Sequence, residues 1–184
     1  LGLAVAALHY RYQATRYPVV FLDTPVAMPG AHLVVLSAQG NHTKAVIKDA
    51  LRQGKEYSPV FLYLAPPTNL PPPHIFEIRD RFGMDEEAQL ALSRAKRACT
   101  AAGVTCQYLY AVGGAEQVFD VARRVRPTEI VAEEQTARRI THSPFAEGGF
   151  AVSPEHVRYR RENGTSVAHY VLHDIYALGA HDLH

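Results

Sequence analysis

Apolar runs and amphipathic stretches alternate along the middle of this chain, between about residues 31 and 132. His32–Leu36 and Val60–Leu64 are almost wholly apolar, which is typical of strands buried on both faces of a parallel sheet. Apolar residues recur on one side of Asn41–Arg52 and of about Asp85–Ala102, which predicts two helices. Two further strands and a third helix are predicted at Val104–Tyr110, Thr128–Ala132 and Glu116–Val125. This order predicts an α/β fold, a Rossmann-like open parallel sheet with helices on both faces.

The pattern changes after the fourth strand. At most a short helix is predicted around Thr136–Thr141, and two strand-like segments then flank Asn163-Gly164, at His156–Arg161 and Ser166–His173. Asn-Gly between alternating runs is the strongest short signal for a hairpin, so we expect an antiparallel C-terminal hairpin. Arg158 and Arg160 would share one face of its first strand, either as a solvated edge or as a basic surface for anionic lipids.

The amino-terminal 30 residues have a different character. Leu1–Leu8 is wholly apolar, and aromatic residues and arginines follow it directly. That order is typical of the cytoplasmic end of a membrane helix, whereas a signal peptide carries its positive charge before the apolar run. An ordinary soluble helix with an apolar face is the other interpretation. Prolines then mark a linker, and we expect Tyr10–Gly30 to pack loosely or to reach a neighbouring molecule. We divide the chain into a membrane-helix stub and linker (1–30), an α/β domain (31–178) and a tail (179–184).

Composition excludes several classes of protein. Lys and Arg number 19 and Asp and Glu 18 in the 184 residues, so no cationic excess favours nucleic acid as a partner. Apolar residues make up 47% and charged residues 20%, which is globular composition rather than disorder. Two cysteines do not make a disulfide scaffold, and we expect Cys99 and Cys106 to be reduced and to act as small hydrophobic residues.

The order of elements resembles that of the universal stress protein family. The resemblance covers about Ala31–Ala132 and depends mainly on residues 32–64, with Leu-Val-Val-Leu-Ser-Ala-Gln-Gly-Asn at positions 33–41. Together with the membrane stub, the chain looks like the cytosolic C-terminal domain of an amino acid permease of the amino acid–polyamine–organocation type. This implies a regulatory or structural domain at the cytoplasmic face of the cell membrane. Its partners would be the transmembrane part of its own transporter and a second copy in a homodimer. A free-standing nucleotide-binding module of the same family is the alternative.

A ligand site is expected where the strand order reverses, beyond the carboxyl ends of the strands. The family's order places this point between the first and fourth strands. The candidate ligand-binding residues are Ser37, Ala38, Gln39, Gly40 and Asn41 at the first strand, with Glu133, Glu134 and Gln135 at the fourth. Gly40-Asn41 opens a helix whose free N–H groups can hold an anion, unless Asn41 only caps that helix. Gly113-Gly114 also precedes a helix, and we interpret it as a turn.

Departures from the family's pattern concern the phosphates of a nucleotide. Nucleotide-binding members usually have an acidic residue at the end of the first strand, where this chain has Ser37-Ala38. They also have a glycine pattern after the fourth strand, where this chain has Glu133 and Glu134, which would repel phosphate. We therefore predict no ATP binding in the family's usual manner and no required cofactor. A less charged nucleotide, such as a nucleoside or a cyclic dinucleotide at Gly40-Asn41, stays open.

Metal and catalytic motifs are weak in this sequence. His169 and His173 would share a strand face, and histidines and aspartates at such spacing can ligate zinc; the other members of that set are Asp174, His181, Asp182 and His184. Histidine on a half-exposed strand is more often an ordinary surface residue, and we predict no metal site. The chain has no nucleophile elbow, phosphate loop or His-Glu-x-x-His motif. We predict a non-enzyme, with a small hydrolase using Ser37 as the weakest alternative.

Overall fold

The alternation of strands and helices is present in the structure, a computed structural model that describes residues 2–5, 8, 19–22, 24–38, 40–52, 57–67, 77–141 and 157–171. The strands are β1 (His32–Ser37), β2 (Pro59–Ala65), β3 (Gln107–Val112), β4 (Glu129–Glu133), β5 (Val157–Glu162) and β6 (Thr165–Val171). The helices are α1 (Gly40–Arg52), α2 (Ile78–Met84), α3 (Glu86–Ala102), α4 (Ala115–Val125) and α5 (Glu134–Thr141).

Six strands form one sheet in the order β3-β2-β1-β4-β6-β5. The first four strands are parallel, and β6 pairs antiparallel with both β4 and β5. The turn between β5 and β6 lies at Asn163-Gly164, whose φ angles of 48° and 79° suit the two positive-φ positions of a tight hairpin. The predicted fold class, with its antiparallel C-terminal hairpin, is confirmed.

Two hydrophobic layers cover the two faces of the sheet. On one side α4 and α5 pack over Leu33, Leu62 and Ile130, and on the other α1 and α3 pack over Val34 and Phe61. Because side chains alternate along a strand, successive β1 residues enter opposite layers and both faces are buried. Complete burial of a leucine such as Leu62 contributes about 1.5–3 kcal/mol, and its truncation to alanine would cost about 2–5 kcal/mol.

The expectation that both cysteines are free thiols is wrong. Helix α3 ends at Gly103, which takes the left-handed conformation with φ 68° and reverses the chain. The reversal brings Cys106 back beside the last turn of α3, where it forms a disulfide with the buried Cys99, and the two Cα atoms are 6.8 Å apart. The sequence shows a helix pattern followed by a strand pattern, but it does not show that the turn between them brings Cys106 back beside Cys99.

The segment before β1 also packs more tightly than expected. Phe21 is only 7% exposed, and its ring lies 4.6 Å from Phe82 and 5.9 Å from Tyr110, measured between centroids. The Leu22 N–H donates to the Tyr108 carbonyl oxygen at 2.8 Å, so this segment extends along the outer edge of β3. Loose packing of the linker is therefore wrong at Phe21, whereas the neighbouring Val20 is 84% exposed and residues 10–18 lie outside the described residues.

Two boundaries and one additional helix differ from the sequence prediction. Helix α1 begins at Gly40, so Asn41 lies in the first turn instead of capping it. Strand β3 begins at Gln107 instead of Val104, because the chain first returns from Gly103 along the end of α3. Helix α2 was not predicted. It has only seven residues, and its one buried side chain is Phe82, so its apolar pattern is too short to recognise.

Candidate functional site

The predicted ligand site lies at the carboxyl ends of β1 and β4, which are neighbours in the sheet. The Ser37 hydroxyl, at the end of β1, lies 3.3 Å from the Thr136 hydroxyl of α5, and Ala38 is exposed. Gly40 and Asn41 belong to the first turn of α1, and Gln39 lies outside the described residues. The structure therefore joins the two predicted halves of the site through Ser37 and α5. The hydroxyl of Ser37 has a threonine as its described partner, not a histidine.

Glu133 closes the β4 side of this site. Its carboxylate turns back over the start of α5 and accepts hydrogen bonds from the N–H groups of Gln135 at 3.0 Å and Thr136 at 3.3 Å. N–H groups in the first turn of a helix have no acceptor within the helix itself, and in other proteins such groups bind phosphate. Glu134 instead pairs with Arg138 of the same helix at 2.7 Å. The sequence placed both carboxylates at the site, but only Glu133 occupies the anion-binding donors.

The same arrangement recurs at two other helices. Asp85 accepts from the Ala88 N–H at 3.0 Å and caps α3, while Glu116 accepts from the Gly114 N–H at 2.8 Å before α4. The Tyr110 hydroxyl also donates to Asp85 at 3.0 Å. Burial and then the negative charge of Asp85 raise the pKa of Tyr110, so this hydroxyl keeps its proton. The N-termini of α3, α4 and α5 are thus each neutralised by a carboxylate of the chain itself.

A buried polar cluster lies toward the opposite, amino-terminal end of β1 and β4. His169 of β6 bonds on one ring nitrogen to Asp49 of α1, and on the other to Glu129 of β4 at 2.6 Å. The second Glu129 oxygen lies 3.6 Å from His32 of β1, and Arg160 of β5 lies 3.5 Å from the second Asp49 oxygen. Asp49 is fully buried and His169 nearly so. We call these five residues the histidine cluster.

Charge in the histidine cluster follows from these contacts. Burial lowers the pKa of His169, but the hydrogen bonds and negative charges of Asp49 and Glu129 outweigh it and raise the pKa to about 9. His169 is therefore protonated at neutral pH and donates from both ring nitrogens. Burial lowers the pKa of His32, since the raising effect of Glu129 is smaller, and the ring stays neutral against Tyr57 at 4.3 Å. Two cations then face two carboxylates, which is how a buried ionic group remains tolerable.

Sequence reasoning missed the histidine cluster although it singled out His169. The suggested companion, His173, lies outside the described residues, as do the histidines and aspartates after it. Within the part of the chain that the structure describes, no group of three or more residues is arranged to hold a metal ion. One signal was available: Asp49 interrupts the apolar side of α1, between Val46 and Ala50, where a carboxylate needs a buried partner.

A second ionic group fastens the hairpin to α1. Glu162, at the end of β5, is almost fully buried and pairs with Lys48 at 3.0 Å and with Arg52 at 2.7 Å. The hydrogen bond from Lys48, and then the hydrogen bond and charge of Arg52, hold the pKa of Glu162 below its ordinary value against the effect of burial. Of the two interpretations of the basic strand, the edge position is present, because β5 is the last strand of the sheet, and it is tied to the helix layer at Asp49 and Glu162.

The amino-terminal residues present apolar side chains to solvent. Residues 2–5 are helical, and the exposed fractions are 90% for Leu3, 61% for Val5 and 67% for Leu8. Among the described residues, no helix combines the length and the apolarity that crossing a bilayer requires.

Comparison with known proteins adds one structural likeness. No protein-family profile matches the chain, and no curated protein matches it. Among solved structures, the chain is similar to a protein from the universal stress protein family from Burkholderia pseudomallei, at 23% sequence identity and a TM-score of 0.44. The likeness covers 63% of this chain and 90% of that one. The fold of the chain is that of a mostly parallel α/β sheet with an antiparallel C-terminal hairpin.

Proposed function

We propose that this chain is a non-catalytic regulatory or structural domain at the cytoplasmic face of the cell membrane, belonging to a transporter of the amino acid or cation type. The observation that carries the non-catalytic part is the occupied carboxyl edge of the sheet. There Asp85, Glu116 and Glu133 satisfy the donors that a phosphate-binding or anion-activating site would need. The partners in this proposal are the transmembrane part of the same transporter and a second copy of the chain.

Electrostatics supports the absence of ATP from this edge. A triphosphate at the start of α5 would meet the carboxylate of Glu133, which is 8% exposed and already holds two N–H donors. Two unit charges about 4 Å apart repel by roughly 1–4 kcal/mol between bulk water and a protein surface. The site would also have to break two hydrogen bonds of the chain before it could offer those donors. We therefore expect ATP to bind no more tightly than about 1 mM, equivalent to about 4 kcal/mol.

Calorimetric titration of the purified chain with ATP, AMP and cyclic di-AMP tests the ligand part. The proposal expects no heat of binding from ATP at micromolar protein for the wild type, and tighter ATP binding by Glu133→Gln, because that variant lacks the repelling charge. A matched control is Glu134→Gln, which removes a neighbouring carboxylate that does not touch the helix donors. Micromolar ATP affinity in the wild type that survives Glu133→Gln would overturn the proposal.

The exposed apolar residues at the amino terminus support attachment to a membrane protein. Leu3, Val5 and Leu8 expose more than half of their surface, which is unfavourable in water unless another surface covers them. The gene region upstream of Leu1 tests this part. A dozen or so apolar spans encoded in frame would agree with a transporter, whereas a start codon close to Leu1 would leave a free-standing module.

The disulfide provides a test of the cytoplasmic placement and is the observation that weighs against it. Disulfides persist in oxidising compartments and are rare in a reducing cytosol. A cytoplasmic domain would hold Cys99 and Cys106 as thiols, and both would be alkylated by a membrane-permeable reagent in intact cells without prior reduction. Labelling that requires prior reduction would place the domain on the oxidising side of the membrane.

A nucleotide-binding module is the second candidate, and one observation favours it. The first turn of α1, at Gly40, lies beyond β1 at the point where the strand order reverses. Ligands of open α/β sheets bind at this point. Cyclic di-AMP is the titrant that separates the candidates, because a heat of binding from it without one from ATP would favour this module.

A further inference from the structure

Helices α1 and α3 enclose a groove on the outer surface of one helix layer. Its volume is about 380 Å³, and it is lined by Lys44, Ile47, Lys48, Leu51, Arg52, Arg94 and Ala98. The three α1 cations lie four residues apart and so follow one side of that helix. The groove therefore has an apolar floor of Ile47, Leu51 and Ala98 between cationic rims.

The cations of this groove are not neutralised to the same extent. Lys48 and Arg52 share the single carboxylate of Glu162, yet their side chains stay 56% and 54% exposed. Among the residues that the structure describes, neither Lys44 nor Arg94 pairs with a carboxylate. Four cations against one carboxylate leave the groove electropositive, so its occupant must carry negative charge.

The apolar floor restricts the occupant further. An inorganic anion would leave the partly exposed Leu51 and Ala98 in water, whereas an amphiphile places its charged head on the rim and its apolar part on the floor. Clusters of Lys and Arg on an amphipathic helix are typical of surfaces that bind anionic lipids. Stable attachment to a bilayer generally requires two such signals. Leu3 and Val5, which are 90% and 61% exposed, are apolar side chains available for the second.

We propose that the groove between α1 and α3 is a docking surface for anionic phospholipids at a bilayer surface. Lys44 and Arg94 bind the headgroup phosphate, and Leu51 and Ala98 contact the first carbons beneath it. This inference goes beyond the proposed function and does not rest on attachment to a transporter, because a free-standing module with the same groove would bind the same vesicles.

Vesicle co-sedimentation of the full chain tests the proposal. The probes are phosphatidylcholine vesicles with and without phosphatidylserine, and the variant is Lys44→Gln/Arg94→Gln, which leaves the Glu162 ion pairs intact. A contribution of roughly 1 kcal/mol per cation predicts about 25-fold weaker binding to the phosphatidylserine vesicles. Leu51→Gln is expected to weaken the same binding about threefold, because it makes the floor polar.

The matched control is Arg123→Gln/Arg139→Gln, which makes the same change in net charge in the helix layer on the opposite face of the sheet. We expect this control to bind phosphatidylserine vesicles within about twofold of the wild type, since its cations lie on the other face. All variants are expected to bind phosphatidylcholine vesicles like the wild type. An equal loss in the control, or no loss in Lys44→Gln/Arg94→Gln, would overturn the proposal. So would a dimer in sedimentation velocity that this groove variant alone abolishes, because a second copy would then occupy the groove.

Discussion

Alkaline pH should destabilise this fold through the histidine cluster. The pKa of His169 is raised from 6.5 to about 9. As the pH rises, the unfolded chain therefore loses this proton at a lower pH than the folded protein does. The resulting stabilisation is complete below about pH 6.5, and is lost as the pH rises through about 9. The groups facing His169 are Asp49 from α1, Glu129 and His32 from β4 and β1, and Arg160 through Asp49.

The size of the effect follows from that shift. At 1.36 kcal/mol per pKa unit, the raised pKa corresponds to an upper bound of about 3 kcal/mol. The side chain of Glu129 is 15% exposed and that of Arg160 is 46% exposed, so water screens part of the interaction. We therefore expect a loss of about 2 kcal/mol in the free energy of unfolding between about pH 6 and pH 10.

Urea unfolding of the wild type and His169→Gln over this pH range measures the loss. The difference between the two proteins should be about 2 kcal/mol larger at pH 6 than at pH 10, because only the wild type carries the bound proton. His42→Gln is the matched control, since it removes a partly buried histidine that bonds to Thr165 at 3.3 Å outside the cluster. A wild-type advantage over His169→Gln that is constant with pH, or that grows toward pH 10, would refute the assignment of charge.

Further predictions concern the other contacts. Asp49→Ala leaves the His169 cation without its buried partner and should cost about 3–5 kcal/mol in a thermal or urea melt, against about 1 kcal/mol or less for an exposed ion pair such as Arg124–Asp120. Reducing the Cys99–Cys106 disulfide opens a short loop, and the chain-entropy relation predicts that the free energy of unfolding falls by about 2.5 kcal/mol. Reductant should therefore lower the melting temperature of the wild type but not that of Cys99→Ala. Glu133→Ala removes the cap of α5 and should cost about 0.5–2 kcal/mol in urea unfolding, whereas Glu134→Ala should cost less.

Much of the sheet could be predicted from the sequence because its strands are short and fully buried. Residues 33–36, 60–62 and 130–132 alternate between the two buried layers, so these runs are apolar, and a parallel arrangement is the one that buries such strands. The hairpin could be predicted because Asn163-Gly164 meets a local steric requirement for positive φ. In both cases a short segment carries the physical cause.

The site could be predicted only in part, because its geometry depends on contacts between distant segments. The sequence placed Ser37 and Glu133 at neighbouring strand ends, since the carboxyl ends of parallel strands lie at one edge. It did not show that Glu133 folds onto its own helix, a choice between rotamers that composition does not encode. Asp49 and His169 are 120 residues apart, and only the register of β6 on β4 brings them together.

The C-terminal hairpin also determines when this domain can complete its fold during translation. Asp49 belongs to the first helix after β1, whereas its cation, His169, belongs to the last strand described, so nearly the whole domain is synthesised between them. A nascent chain that ends before β5 would hold Asp49 and Glu129 without His169 and would leave one edge of β4 unpaired. Contacts of such long sequence separation form late, and exposed strand edges promote aggregation in the interval. The domain can therefore complete its fold only after the final strand has left the ribosomal exit tunnel.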